Sequence, residues 1–373
     1  MRARIISALC AIFILSVGIA GFSGCASGHK QFAYVIGQGT NEAFEFQVQR
    51  NGTLVPLGTP NFPVGSAPSS VVVHPSGDFL YVADFSGNDV TLLDINHGNG
   101  NLSVPVSNSV VISVNPQNVF NTGVGPVAVV MSPVTPFLYT ANQTDGSISG
   151  FTVDPGAGGL SALAGLVLNP VVHPTAMAIS PTGNFLFVTN ADGSIASISI
   201  DKNGNLAEVG GTTVSLGAGV TPAAVVVEHS GRFLYVTDTA HNAVLGFAIG
   251  SSGALTPISG SPFAAGAAPV GLGVDPQGSF LFAANSGSSN VSAYLIDSNS
   301  GALAAVNGSP FATGGVGSDG IGVDSNSSVV YVMNSVSHDI AAFGIGDKGV
   351  LTPVTGSPFG VATAATGIAV ASE

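Results

Sequence analysis

The sequence predicts an all-β fold, a seven-bladed β-propeller with four-stranded blades. Three observations support it: apolar residues make up 45% of the 373 residues, their runs are short and rich in β-branched residues, and one block recurs seven times. The block is an apolar pair, then Tyr or Phe, then a small or β-branched residue, at positions 32–35, 79–82, 137–140, 185–188, 233–236, 280–283 and 329–332. Successive aromatics are 47, 58, 48, 48, 47 and 49 residues apart, the length of one blade.

One repeat shows the four strands of a blade. Residues 269–274 predict an inner strand, a turn follows at 275–278, and residues 280–284 and 291–296 predict the second and third strands. A polar hairpin at 297–301 leads to an outermost strand that begins at 302–306. The segments 253–263, 301–311 and 349–359 are nearly identical and lie 48 residues apart.

The two ends of the repeat region predict how the ring closes. The first block, at 32–35, has no inner strand before it, whereas residues 366–371 form a strand with no second strand after it. We therefore expect the C-terminal strand to complete the first blade, which removes open sheet edges. Residues 31–373 are accordingly predicted to form one propeller domain.

The charge distribution excludes nucleic acid as a partner. The formal net charge is −13, and all 20 acidic residues follow residue 24, whereas Arg2 and Arg4 precede it. Such a surface repels phosphate backbones and anionic lipid headgroups. The remaining basic residues are Lys30, Arg50, Lys202, Arg232 and Lys348. A monomer is expected, with contact to a membrane only through a lipid.

The N-terminal segment has the features of a processing signal. Arg2 and Arg4 precede an apolar stretch at 5–20, and Phe22-Ser23-Gly24-Cys25 resembles a bacterial lipobox. We expect residues 1–24 to be a lipoprotein signal peptide, Cys25 to be lipidated, and 25–30 to be a short tether. The alternatives are an uncleaved anchor helix or plain secretion. Each of them exports the domain. For the lipid-anchored protein we expect the cell envelope, and the residue after Cys25 favours the outer membrane.

The strand endings carry a family resemblance. Tyr81-Val-Ala-Asp84, Phe187-Val-Thr-Asn190 and Tyr235-Val-Thr-Asp238 look like the YVTN repeat. With the GALTP and GSPF segments, they resemble the seven-bladed lactonase family that includes 6-phosphogluconolactonase-like proteins. The resemblance covers about residues 31–371 and implies a lactonase that uses a His with Arg and acidic partners at the channel mouth. The basic part of that set is missing here, because the repeat register puts Arg232 in a turn on the opposite face.

Most polar residues that recur are interpreted as structural. One Asp or Asn ends the second strand of six repeats, where its side chain can bond the backbone two residues on: Asp84, Asn142, Asn190, Asp238, Asn285 and Asn334. The segment 201–205 resembles a calcium loop but falls at a hairpin turn and lacks the final Glu. His74 and His229 are predicted in turns, and His97, His241 and His338 lack metal-site spacing. No cofactor or metal is expected.

The loops that lead into inner strands point to a candidate site. Five of six end in Pro and carry no charge, whereas His173 and Asp319 place titratable groups at or beside this position. These two residues are the predicted catalytic pair, if the protein is an enzyme. The longest repeat has about ten extra residues near 114–121, which are expected to bulge from the outer strand or the following loop and to lie over the channel mouth.

Two functions from different classes fit the sequence. A non-catalytic module that binds a small molecule, a glycan or an envelope protein through the channel-mouth face suits the low charge and the polar loops. The alternative is a lactonase that hydrolyses a sugar lactone or another lactone. The missing arginines favour the binding module, and an uncharged lactone would weaken that objection.

Overall fold

Seven antiparallel sheets form a closed ring, which confirms the predicted propeller. The computed structural model describes residues 30–58, 61–105, 118–163, 171–210, 213–326 and 328–372. Blades are numbered 1 to 7 in the chain order of their second strands. The expected signal peptide, Cys25 and most of the tether lie outside the described residues.

Each blade has an inner, a second, a third and an outer strand. The inner strands of blades 1 to 7 are Ala365–Ser372, Pro68–Val73, Pro126–Met131, Pro174–Ile179, Val225–Val227, Pro269–Val274 and Ser318–Val323. The second strands are Gln31–Gly37, Phe79–Asp84, Phe137–Asn142, Phe185–Asn190, Phe233–Asp238, Phe280–Asn285 and Val329–Asn334. The third strands are Glu42–Val48, Asp89–Ile95, Ser147–Val153, Ser194–Ile200, Ala243–Ile249, Asn290–Ile296 and Asp339–Ile345.

The outer strand is split into two short pieces that pair with opposite ends of the third strand. The first pieces are Leu54–Pro56, Leu102–Ser103, Leu160–Ala162, Leu206–Glu208, Leu255–Pro257, Leu303–Ala305 and Leu351–Pro353. The second pieces, described for all blades but blade 3, are Phe62–Pro63, Val119–Asn121, Val214–Ser215, Phe263–Ala264, Phe311–Ala312 and Phe359–Gly360. A short 3-10 turn, Asp347–Gly349, precedes the outer strand of blade 7.

Buried aromatic residues of the second strands join neighbouring blades. The hydroxyl of Tyr235 is buried and donates a hydrogen bond to the carbonyl of Gly301 in the next blade, 2.7 Å away. Gly301 has a φ of +72°, and a Cβ there would lie 2.4 Å from the Phe233 ring. The hairpin therefore needs glycine both for its backbone conformation and for the close packing of the ring.

Ring closure follows the predicted route. Ala365–Ser372 pairs antiparallel with Gln31–Gly37, so the C-terminal strand is the inner strand of blade 1. A side-chain bond also crosses the closure, because the Tyr331 hydroxyl in blade 7 donates to the Gly52 carbonyl in blade 1 at 3.0 Å. Closure thus uses backbone pairing together with the blade-to-blade contact seen elsewhere in the ring.

The strand order defines two faces of the ring. The upper face carries the loops that lead into inner strands and the loops that follow second strands, and the lower face carries the remaining turns and hairpins. The extra residues of blade 2 fall between the two pieces of its outer strand, at Leu102–Ser103 and Val119–Asn121. Residues 106–117 lie outside the described residues, and 119–121 belong to the strand rather than to the expected bulge. Across the described ranges, no helix is long and apolar enough to span a membrane.

Candidate functional site

The Asp or Asn that ends the second strand in blades 2 to 7 ties the upper end of each blade together. Asn285 is fully buried, and its amide donates to Asn290 at 2.8 Å and to Ser292 at 2.9 Å on the third strand. The predicted bond to the backbone two residues on is present at Asp238, which accepts from the Ala240 amide at 3.2 Å. At Asn285 the side chain reaches across the sheet instead.

Blade 2 has two carboxyl groups at this position. Asp84 and Asp89 are paired across the second and third strands, and the Thr91 hydroxyl donates to Asp84 at 2.7 Å. Burial raises the pKa of Asp84 to about 8 and also raises the pKa of Asp89. In blade 7 the equivalent pair is Asn334 and Asp339, where the amide donates to the carboxylate at 2.7 Å. Asp84 must therefore keep its proton to imitate the amide donor.

Blade 5 has a carboxylate and a histidine in direct contact on the upper face. Nδ1 of His241 lies 2.6 Å from Oδ2 of Asp238. The Asp238 side chain is 3% exposed, whereas the His241 side chain is 54% exposed. Because the carboxylate accepts the proton of Nδ1, the neutral imidazole carries its free electron pair on Nε2. A buried carboxylate that orients an exposed imidazole is the base–orienter half of a catalytic triad.

Local structure explains how this dyad forms. In blades 3, 6 and 7, the third residue of the same loop accepts a bond from a backbone amide of the loop that leads into the inner strand; these residues are Asp145, Ser288 and Ser337. His241 occupies that position in blade 5 but turns to Asp238. Asp238 Oδ1 additionally accepts from the amides of Thr221 and His241, both at 3.3 Å. These bonds fix the carboxylate without using the oxygen that faces the imidazole.

The loop that leads into the inner strand of blade 5, here called its leading loop, also departs from the repeat. Its inner strand is only Val225–Val227, because the amides of Ala223 and Ala224 bond the Thr237 hydroxyl instead of a strand partner. Gly219 in this loop has a φ of +75°, and a Cβ there would lie 3.8 Å from Nε2 of His241. Glycine therefore leaves space beside the free nitrogen, where a small substrate or a water molecule can approach.

His173 lies on the upper face between blades 3 and 4. It is exposed, has a φ of +48°, and directs Nδ1 at the Gln143 carbonyl 2.9 Å away. This contact leaves Nε2 free in the neutral ring. A neutral carbonyl orients the imidazole but offers less stabilisation to the imidazolium than a carboxylate does.

Asp319 lies near the upper end of the inner strand of blade 7. Burial raises its pKa to about 6, against a lowering effect of the Ser335 hydroxyl. Its Oδ1 is buried and has no hydrogen-bond partner in the described structure. In blades 1 and 2 the equivalent residues are Thr366 and Ser69, whose hydroxyls donate to a carbonyl of the next blade. A carboxyl group replaces these donors in blade 7.

The two residues predicted from sequence share a face but belong to blades 4 and 7, three steps apart, which is the largest separation in a seven-membered ring. Their roles stay predictions. Sequence reasoning missed the Asp238–His241 pair, because it treated Asp238 as a turn residue and His241 as an isolated histidine. The available signal was Asp at a position where four blades carry Asn, followed three residues later by His.

The opposite mouth of the ring is an apolar pocket. A cavity of about 520 Å³ on the lower face is lined by Met131, Ile179, Val226, Val274 and His229, among others. Asp275 also borders it, but its carboxylate already accepts bonds from the amides of Ser279 and Phe280. Across the described residues, no group of three or more His, Cys, Asp or Glu is suited to hold a metal ion. A lower-face pair is also in contact, with Nε2 of His97 2.5 Å from Oδ1 of Asp78, but its carboxylate is 45% exposed. The upper-face pair differs from it in having a buried carboxylate.

These features define a β-propeller whose upper face carries a candidate acid–base site. The sequence profile of the family described as lactonase, 7-bladed beta-propeller matches residues 25–221 and 192–316. The chain belongs to this family. No curated protein matches it.

Solved structures with the same fold come from several bacteria. The periplasmic gluconolactonase of Pseudomonas aeruginosa superimposes with a TM-score of 0.74 at 17% identity, over 92% of this chain and 99% of that one. A protein from Bacteroides uniformis assigned as a 6-phosphogluconolactonase gives 0.73 at 20% identity, over 91% and 99%. Another from Bacteroides fragilis, assigned likewise, gives 0.75 at 18% identity, over 93% and 99%. At these identities the likeness concerns the fold.

Proposed function

We propose that the protein hydrolyses a lactone on its upper face, with His241 as the general base. The observation that carries the proposal is the 2.6 Å contact between Nδ1 of His241 and the buried carboxylate of Asp238. In a chain of the lactonase family, this contact supplies the oriented base that hydrolysis needs. The family match favours the enzyme over the binding module that the composition favoured.

The reaction requires one water molecule and one base. Nε2 of His241 takes a proton from water as the water oxygen attacks the lactone carbonyl carbon, and Asp238 stabilises the imidazolium that forms. The ring C–O bond then breaks, and the imidazolium returns the proton to the departing ring oxygen. The product is the open hydroxy acid, and the histidine returns to its neutral form.

Asp319 and His173, the pair predicted from the sequence, are second candidates on the same face, in blades three steps apart. A carboxyl group whose pKa is about 6 and whose Oδ1 lacks a partner is suited to proton transfer near neutral pH. His173 has a free Nε2 as well. Since these residues lie in other blades than His241, single variants separate the two sites.

The first experiment is a panel of sugar lactones tested with the purified mature protein and four variants. We expect turnover that falls by about 100-fold or more in His241→Gln, and by less than threefold in His173→Ala and Asp319→Asn. His338→Asn is the matched control, because Asn41, Asn88 and Asn242 occupy its left-handed position in other blades. Loss of turnover in His173→Ala and Asp319→Asn, with His241→Gln unaffected, would move the site to the second candidate. Absence of turnover with every lactone would leave a binding module.

We also propose that the protein is exported and held at a membrane by a lipid on Cys25. The signal-like segment and the lipobox resemblance support this, and a structural neighbour is a periplasmic protein. Lys30 lies on the lower face, where its ammonium donates to the Gly98 carbonyl of a blade 2 hairpin. Five residues span at most about 18 Å, so a lipid on Cys25 would hold the lower face nearer the membrane and leave the upper face accessible.

A further inference from the structure

The charged side chains are divided unequally between the two faces. The basic residues within the described ranges all lie at lower-face turns, hairpins or strand starts; they are Lys30, Arg50, Lys202, Arg232 and Lys348. Among the described residues, the titratable side chains of the upper face are carboxylates and histidines. Its acidic residues are Glu42, Asp84, Asp89, Asp145, Asp192, Asp238, Asp319 and Asp339. Of these, Asp84 keeps its proton and adds no negative charge.

The lower-face cations are too far away to serve the upper face. Arg232 is held by Ser230 at 3.1 Å, by the Ser298 carbonyl and by the Phe233 ring, whose centroid is 5.0 Å from its guanidinium carbon. An inner strand of six residues spans about 20 Å, and charges in water are screened over about 8–10 Å at physiological ionic strength. A substrate on the upper face therefore meets no compensating positive charge from these residues.

The upper-face acids are fixed by their own hydrogen bonds. Asp145 accepts from the amides of Val124 at 2.7 Å and Ser147 at 3.2 Å, and Asp192 accepts from the Ser194 amide at 3.0 Å. These bonds hold the carboxylates on the loops that surround the channel mouth. Their negative potential thus belongs to the built structure of the face rather than to mobile side chains.

We propose that the substrate is an uncharged lactone and that phosphorylated lactones are excluded by the upper face. The inference rests on the proposed lactonase function and narrows its substrate class. Binding a phosphate group normally uses Arg or Lys donors, or a cluster of free backbone amides. On the upper face a dianion would instead approach fixed carboxylates. This protein would therefore prefer a different substrate from the phosphorylated lactone named for the neighbours assigned as 6-phosphogluconolactonases, although it shares their fold.

The test is a binding measurement that does not depend on turnover. The probes are gluconolactam, a non-hydrolysed analogue of the uncharged sugar lactone, and its 6-phosphate, titrated by calorimetry into the mature protein at low ionic strength. We expect the unphosphorylated lactam to bind at least tenfold more tightly. The difference should shrink as salt is added, because screening weakens the repulsion.

Two double variants locate the repulsion. Asp145→Asn with Asp192→Asn removes two charges from the upper loops of blades 3 and 4, and should tighten binding of the phosphate about threefold or more. Asp154→Asn with Asp201→Asn is the matched control, since it removes two charges from lower-face hairpins of the same blades. The control should leave both affinities unchanged.

Each outcome decides the inference. Equal or tighter binding of the phosphorylated lactam overturns it, and so does a failure of both lactams to bind. Preferential binding of the uncharged lactam without turnover of the corresponding lactone would support the inference and reject the proposed hydrolysis.

Discussion

The contact between His241 and Asp238 joins an exposed imidazole to a carboxylate that is 3% exposed, with 2.6 Å between Nδ1 and Oδ2. The other carboxylate oxygen is occupied by backbone amides of the same loop and of the leading loop. The carboxylate therefore cannot turn away from the imidazole without losing several bonds. This arrangement holds Nε2 free and directed away from its partner.

Replacing Asp238 by Asn should reduce catalysis more than folding. The Asn side chain keeps an oxygen for the backbone amides but no longer stabilises the imidazolium or fixes the tautomer. We expect kcat/KM for a neutral lactone to fall by roughly 10- to 1000-fold, with a small shift in the thermal unfolding midpoint. Steady-state kinetics and calorimetry on the same preparation measure both quantities. Unchanged kcat/KM would remove Asp238 from the site.

Removal of residues 366–373 should abolish cooperative unfolding. These residues include most of the strand that pairs with Gln31–Gly37, so the deletion opens the ring and leaves the edge of Gln31–Gly37 without a partner strand. Tyr331→Phe is the comparison, since it removes the single Tyr331–Gly52 bond and should cost about 1 kcal/mol. A truncated protein that melts within a few degrees of the intact one would show that closure does not depend on this strand.

The stability of Asp84→Asn relative to the wild type should increase as the pH rises. Burial raises the pKa of Asp84 to about 8 in the folded state, well above the value of about 3.9 in an unfolded chain. The folded state then binds more protons between these values, so wild-type stability falls as the pH increases through that window and levels off above it. The Asn variant lacks this loss. The gain is at most several kcal/mol, because one pKa unit corresponds to about 1.4 kcal/mol.

The converse substitution in blade 7 provides the control for this pH effect. Asn334→Asp places two carboxyl groups beside each other, since Asn334 now donates to Asp339. Denaturant unfolding from pH 5 to pH 9 should show a steeper loss of stability for this variant than for the wild type. Parallel pH profiles for the wild type, Asp84→Asn and Asn334→Asp would contradict the assigned protonation of Asp84.

Cys25→Ser should prevent lipidation and normal maturation. The Cys is the residue that a lipobox would present for lipidation, whereas Cys10→Ser changes a residue inside the segment to be removed and is the matched control. We expect the wild type and Cys10→Ser to sediment with membranes, and Cys25→Ser not to mature normally. Equal solubility of all three proteins without detergent would reject the lipid anchor.

The ring and its closure were predictable from the sequence because the strand pattern that specifies them recurs in every blade. Each blade buries the same aromatic position, and a missing inner strand at one end is matched by a spare strand at the other. The sequence also placed Arg232 correctly in a lower-face turn. The position of a residue within its blade follows from the spacing of the repeats alone, and seven repeats define that spacing.

The dyad was not predictable by the same reasoning. Asp238 fits the repeat as well as Asn does, and only the rotation of the His241 side chain away from the leading loop distinguishes a pair from two turn residues. The protonation of Asp84 likewise depends on burial beside Asp89 rather than on either residue type. Single departures from a repeat indicate where to look, and side-chain geometry determines what they do.

The most direct test of lactone hydrolysis by this dyad is kcat/KM for an uncharged sugar lactone, measured near neutral pH with spontaneous ring opening subtracted. The wild type and His241→Gln are compared in one assay, with His338→Asn as the control. We expect wild-type turnover that falls by about 100-fold or more in His241→Gln, with unfolding midpoints that agree within a few degrees. Equal kcat/KM in the wild type and His241→Gln would contradict hydrolysis by this dyad.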